Sequence, residues 1–336
     1  MTDAIQIAST LERAGVGQVL SVRRRHDHPG STCRVHDVIV DHGPLVVKIA
    51  EGAFHHERVA REITVLGSIG HRLRDLAPRL VAADIDHRSH RCIIVLEAID
   101  GEAGDSLRGA AGGRIEEIID RMAIAWRIEA TDPDLRDLDL PDWGRGTNAP
   151  RPHRRRRDRF RRRGRLMRER FPECRPIHDP LLAEIVESFE EIARPPVNRP
   201  ARLIHGDLHL DNVVFSPEGP RVLDWQTTSI GDPVDDVVRL ALESQPGGSI
   251  DSILELCDRL PETRTSPERL ARSLILTYAG LVSGLAGKPD LDPGSREHGF
   301  ARRLLSPGGS GTPIRQALDI LSRDSSRDRG SGSDIT

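Results

Sequence analysis

Two periods alternate along the chain. Asp3 to Ala14 sets Ile5, Ile7 and Leu11 among polar residues behind a capping residue, Thr2 or Asp3, which predicts a short helix ending at Gly15. Three strand-like runs follow, Val19 to Arg24, Cys33 to Val40 and Leu45 to Ala50. The turn segments His26-Asp27-His28-Pro29-Gly30-Ser31 and Asp41-His42-Gly43-Pro44 separate them. Phe54 to Leu66 returns to the helical period with Val59, Ile63 and Leu66 on one side, and two more strands are predicted around Arg79 to Asp84 and Cys92 to Leu96. After that, helical patterns dominate: Arg114 to Ile128, Pro180 to Ala193, Val237 to Glu243, Ile250 to Leu260, Pro267 to Gly280 and Ile314 to Leu321. A tight hairpin interrupts them, with Val213-Val214-Phe215 and Arg221-Val222-Leu223 joined through Ser216-Pro217-Glu218-Gly219-Pro220.

With 336 residues, the chain is long for one small core and suits two domains or one two-lobed enzyme. A net charge of −3 gives no global pull toward nucleic acid or a membrane surface. Cys33, Cys92, Cys174 and Cys257 are scattered without a C-x-x-C pair, which fits a reduced cytosol. The first residues lack a basic segment followed by an apolar core, and no apolar run reaches the roughly 18 residues of a membrane span. The expectation is a cytoplasmic protein with no nucleic acid, no membrane and no obligatory protein partner.

The hairpin carries Asp207 and Asn212 before its first strand and Asp224 at the end of its second, so the turn brings these polar groups close in space. Asp, Asn and Asp together suit magnesium-dependent phosphoryl transfer. One carboxylate accepts the proton of an attacking hydroxyl, while an amide oxygen and a second carboxylate, both hard ligands, hold Mg²⁺. Lys48 points the same way. The only lysines are Lys48 and Lys288, and Lys48 lies in an apolar strand, where a compact ammonium can approach phosphates as a point charge. An exposed lysine on an edge strand is the alternative.

The stretch from Arg202 to Gln226 resembles the catalytic and metal-binding segment of the aminoglycoside phosphotransferase family, relatives of the protein kinases. The H-G-D-x-H-x-x-N pattern is matched at His205, Gly206, Asp207, His209 and Asn212, and the following L-D-W at Leu223, Asp224 and Trp225. The similarity extends through Gly231-Asp232-Pro233 to Asp236, an aspartate that braces the loop in the family. Gln226 stands where many members have Glu, and a changed local bond without loss of activity is expected there.

The resemblance implies an α+β, bilobal, protein-kinase-like fold with a small β-rich N-lobe over residues 1–96, a hinge at 97–101 and a larger, mainly helical C-lobe over 102–321. Residues 322–336 read as a disordered tail. It implies Asp207 as catalytic base, Asn212 and Asp224 as metal ligands, Lys48 on the α- and β-phosphates, and Glu62 (with Glu57 as competitor) as the partner of Lys48. Ser31 would contact the phosphates, and the backbone of Glu97 and Ala98 the adenine. The cofactors implied are ATP or GTP and Mg²⁺, and the partner is a small-molecule hydroxyl acceptor, an antibiotic or a metabolite such as a sugar, amino alcohol or nucleoside.

Two other classes stay open: a metal-dependent phosphoesterase, which needs several further ligands, and a silent nucleotide-binding scaffold. The arginine-rich stretch from Arg151 to Arg170 reads either as a solvated, disordered block or as a flank of the acceptor pocket that attracts an anionic group and disfavours a polycationic acceptor.

Overall fold

A computed structural model describes residues 2–25, 33–107, 112–136, 138, 140–141, 152–193, 201–244, 248–287, 296–305 and 311–330. The first helix, α1 (Asp3–Arg13), precedes strands β1 (Val19–Arg24), β2 (Arg34–Val40) and β3 (Gly43–Glu51). Helix α2 (Ala53–Ile69) then leads to β4 (Leu80–Asp86) and β5 (Arg91–Glu97). These strands form one antiparallel sheet in the order β1-β2-β3-β5-β4. Alternation along β3 decides the use of each face. Leu45, Val47 and Ile49 pack with Ile7 and Leu11 of α1, whereas Ala50 joins the cluster that contains Val59, Ile63 and Leu66 of α2. Lys48 lies on this second side in the middle of the sheet, opposite Val35 on β2 and Ile94 on β5. It is no edge-strand lysine.

The remaining chain is mainly helical: α3 (Gly112–Trp126), α4 (Pro133–Arg136), α5 (Pro152–Arg170), α6 (Arg175–Ile192), α7 (Pro233–Ser244), α8 (Ile250–Asp258), α9 (Pro267–Ala286), α10 (Arg296–Leu305) and α11 (Gly311–Gly330). Short strands are set among them. β6 (Glu102–Ala103) pairs with β8 (Val213–Ser216), β8 with β9 (Gly219–Val222), and β7 (Arg202–Ile204) with β10 (Ser229–Gly231). The hairpin predicted from the sequence is the β8–β9 pair. The fold is therefore the bilobal α+β arrangement, an antiparallel sheet lobe on a helical lobe. One apolar cluster runs from α2 of the first into α3, α6, α7 and α9 of the second.

Two segments depart from the sequence reading. The arginine-rich stretch is helix α5, with Phe160 and Met167 buried in the core, joined by Phe171 just beyond its end. The helix α11 continues past Leu321 to Gly330, where a disordered tail was expected.

Candidate active site

The loop between β7 and β8 is fixed by Asp236 of α7. Its Oδ2 accepts the His205 backbone N–H at 2.8 Å and the Trp126 indole N–H at 3.1 Å, and its Oδ1 accepts the Gly206 N–H at 2.8 Å. Gly206 has φ +80°, and a Cβ there would lie 2.5 Å from the Thr227 carbonyl oxygen. Only glycine suits both the left-handed backbone and the close approach. His205 accepts the Asp207 N–H through Nδ1 at 3.3 Å and donates through Nε2 to the Leu223 carbonyl at 2.9 Å, tying the loop to the end of β9.

Around that brace the predicted polar residues converge. The Lys48 Nζ lies 2.9 Å from both carboxylate oxygens of Glu62 and 2.9 Å from Asp224 Oδ1. Glu62 is 0% exposed, and Glu57, its competitor in the sequence, pairs instead with Arg61. Burial opposes the charge on Lys48, but Asp224 and Glu62 outweigh it and hold the ammonium well above the usual lysine range. Asp224 sits in a left-handed conformation at φ 65°, unusual for a residue with a side chain. Its Oδ2 accepts the Gln226 amide N–H at 2.6 Å, the local bond introduced by the departure from Glu.

Asp207, by contrast, is engaged from α7: Arg239 Nη2 is 2.9 Å from its Oδ1 and 2.7 Å from Glu243 Oε1. Burial would raise the Asp207 carboxyl, yet Arg239, His209 and His205 hold it below the usual carboxylate range. Asn212 donates through Nδ2 to the Asp207 carbonyl at 3.0 Å and contacts His209 Nε2 at 3.2 Å, and neither contact uses its Oδ1. Asp224 and Asn212 thus supply hard oxygen donors on one wall, a set that fits Mg²⁺ held by few protein groups and phosphate oxygens.

Lys48, Asp207, Asn212 and Asp224 line one cleft of about 820 Å³ between sheet and helices, whose lining also includes Leu96, Glu97, Ala98 and Ile99 at the far wall. That volume falls in the range of nucleotide-sized sites. At the wall the Glu97 N–H donates to the Arg79 carbonyl at 3.0 Å and the Glu97 side chain bonds Arg221 at 2.6 Å. The Ala98 N–H makes a long 3.4 Å bond to Pro44. Of the groups expected at the hinge, the Glu97 N–H is engaged in the sheet lobe. Ser31, expected on the phosphates, lies outside the described residues.

Arg239 and Glu243 were not singled out in the sequence. Their signal was helical spacing, since Asp236, Arg239 and Glu243 recur three and four residues apart on one face of α7.

The model of the phosphotransferase enzyme family matches residues 29–260. Among solved structures, spectinomycin phosphotransferase in complex with ADP and spectinomycin superposes with TM-score 0.59 at 11% identity, over 93% of this chain and 98% of that one. The GDP complex of an aminoglycoside 2'-phosphotransferase-IIIa variant gives 0.57 at 14% identity, over 99% and 100%. Choline kinase from Streptococcus pneumoniae gives 0.52 at 16% identity, over 96% and 100%. Acyl-CoA dehydrogenase family member 11 of Homo sapiens is 43% identical over 51 residues, 14% of this chain but only 6% of that protein. The family match spans most of the chain and the fold agrees with it: this chain belongs to the phosphotransferase enzyme family and is a small-molecule kinase that acts on a hydroxyl group.

Proposed function

We propose that the cleft takes ATP or GTP with Mg²⁺ and that Asp207 directs a hydroxyl of the acceptor onto the γ-phosphoryl group. The observation that carries this reading is the meeting of Lys48, Asp207, Asn212 and Asp224 on one cleft, with Glu62 buried behind the Lys48 ammonium. Lys48 offers its ammonium to the nucleotide phosphates, and Glu62 keeps it in place from the protein side. The hinge wall contributes the Glu97 carbonyl and the main chain of Ala98 and Ile99 to the base. Asp224 and Asn212 would hold Mg²⁺, which when bound neutralises charge on the phosphate oxygens. Asp207, held below the usual carboxylate range, is ionised at neutral pH and can only accept a hydrogen bond. It therefore orients the acceptor O–H and receives its proton as the oxygen bonds to phosphorus and the bond to the leaving nucleoside diphosphate breaks.

A two-metal phosphoesterase has less support. Among the described residues, no group of three or more His, Cys, Asp or Glu side chains is arranged to hold a metal ion. The buried Lys48–Glu62 pair would also have no task in it.

The test is magnesium-dependent consumption of ATP and GTP against hydroxylated antibiotics, sugars, amino alcohols and nucleosides, with Asp207→Ala beside the wild type. Loss of the base is expected to lower turnover by about 10²- to 10⁴-fold. Turnover that survives intact in the variant removes Asp207 as the base.

A further inference from the structure

A second cavity, of about 540 Å³, opens from the cleft beside Asp207, and Gly206, Thr227, Arg239, Gly280, Leu281 and Gly284 line both. Its polar wall holds three guanidinium groups and two aspartates, and one of the three, Arg239, is paired with Asp207 and Glu243. Arg159 and Arg163 reach it from α5, and Arg239 reaches it from α7. The two acids on the wall are already committed. Asp236 takes three N–H bonds from His205, Gly206 and Trp126, and Asp235 Oδ1 accepts the Ser273 hydroxyl at 2.6 Å.

Two donors on the same wall have no hydrogen-bond partner among the described residues: the hydroxyl of Ser229, which is 0% exposed, and the buried Nε of Arg239. A buried donor left unpaired is unfavourable unless a ligand or water completes it. Arg163 donates to the Ser283 carbonyl of α9, which fixes its guanidinium at the rim, while Arg159 is exposed. Most of the remaining lining is apolar, with Phe160, Phe189, Ile204 and Leu276 prominent beside Thr227 and Thr277.

We propose that this cavity is the acceptor subsite and that it binds an anionic group, carboxylate or phosphate, on an acceptor with an apolar body whose hydroxyl reaches Asp207. The proposal rests on the phosphotransferase reading for the hydroxyl, but the anion preference belongs to the cavity itself. Guanidinium groups suit both ligands because their paired N–H donors match carboxylate and phosphate oxygens. An acceptor rich in ammonium groups would meet the guanidinium groups of Arg159 and Arg163, while Arg239 is paired with Asp207 and Glu243 and the wall aspartates are occupied by the hydrogen bonds named above.

Calorimetric titration of the full chain tests this, after saturation with a non-hydrolysable ATP analogue and Mg²⁺ so that the nucleotide site is filled. The titrants are phenyl phosphate, benzoate, benzyl alcohol and benzylamine, which share a ring and differ in charge. At least one anion is expected to bind about tenfold or more tightly than benzyl alcohol, as one charge-assisted hydrogen bond provides. The tighter of the two anions identifies the group.

In Arg159→Ser/Arg163→Gln that advantage is expected to fall about tenfold while benzyl alcohol is unaffected. If the double variant does not fold, Arg159→Ser alone is read, because that side chain is exposed. Benzylamine binding more tightly than either anion, anions no better than the alcohol, or variants indistinguishable from wild type would each overturn the proposal. Failure of the nucleotide to bind would count against the phosphotransferase reading alone, and the same titrations on nucleotide-free protein would then decide the cavity.

Discussion

Arg239 helps to keep the Asp207 carboxylate ionised. Its Nη2 lies 2.9 Å from Asp207 Oδ1, and with His209 and His205 it outweighs a burial that would otherwise raise the carboxyl. A depressed carboxyl stays ionised to lower pH, so activity that needs the anion persists until the pH falls through the folded value. Removing the guanidinium leaves burial less opposed. Arg239→Gln is therefore expected to move the acidic limb of kcat/KM toward higher pH, and a pH profile of both proteins checks it. An unshifted limb would mean that another group titrates there.

At this scale the sequence was most legible where chemistry demands a residue type within a short segment. Asp207, Asn212 and Asp224 lie at the two ends of one hairpin, and a turn suffices to join them. Lys48 stood out because lysine is so rare in this chain. Glu62 and Glu57 could not be separated by spacing alone. The packing of α2 on the sheet decides between them, since it buries Glu62 and leaves Glu57 on the surface. Arg239 was hidden because Asp207, the partner that gives it a place in the site, comes from another part of the chain.

Helix α5 is the element where composition misled. Its charge suggested a solvated block, but Phe160, Gly164, Met167 and Phe171 recur every three or four residues and make a narrow apolar stripe inside the arginines. Gly164 lets α6 come close, for a Cβ there would sit 2.5 Å from Leu182 Cδ1, and the Gly164 carbonyl contacts His178 Nε2 at 3.2 Å. Seated in this way, the helix exposes Arg161, Arg162 and Arg165 and brings Arg159 and Arg163 to the second cavity. Phe160→Ala should lower unfolding stability by about 3–5 kcal/mol, read from the denaturant midpoint. A change well under about 1 kcal/mol, a level typical of surface substitutions, would show that the helix is not anchored through this ring. By contrast, the N-terminal strands were legible because their alternation and intervening turns are local. The strand Ser229–Gly231 was not, because it is three residues long and exists only by pairing with Arg202–Ile204.

Across the whole molecule, the cleft is assembled from both lobes, with Lys48, backed by the buried Glu62, from one and Asp207, Asn212 and Asp224 from the other. The order of strands followed by helices made the architecture legible. The second cavity was not, because its walls come largely from α5, α7 and α9, which only tertiary packing brings together. We propose that this junction is a magnesium–nucleotide site. The most direct measurement is calorimetric titration of a non-hydrolysable ATP or GTP analogue into wild type, Lys48→Met and Asp224→Ala, each with and without Mg²⁺, with folding of each variant checked by circular dichroism. Binding to the wild type that strengthens with Mg²⁺, weakens in Lys48→Met and loses its Mg²⁺ dependence in Asp224→Ala is the expected result. A wild type that binds neither analogue, or variants that bind as the wild type does, would contradict it.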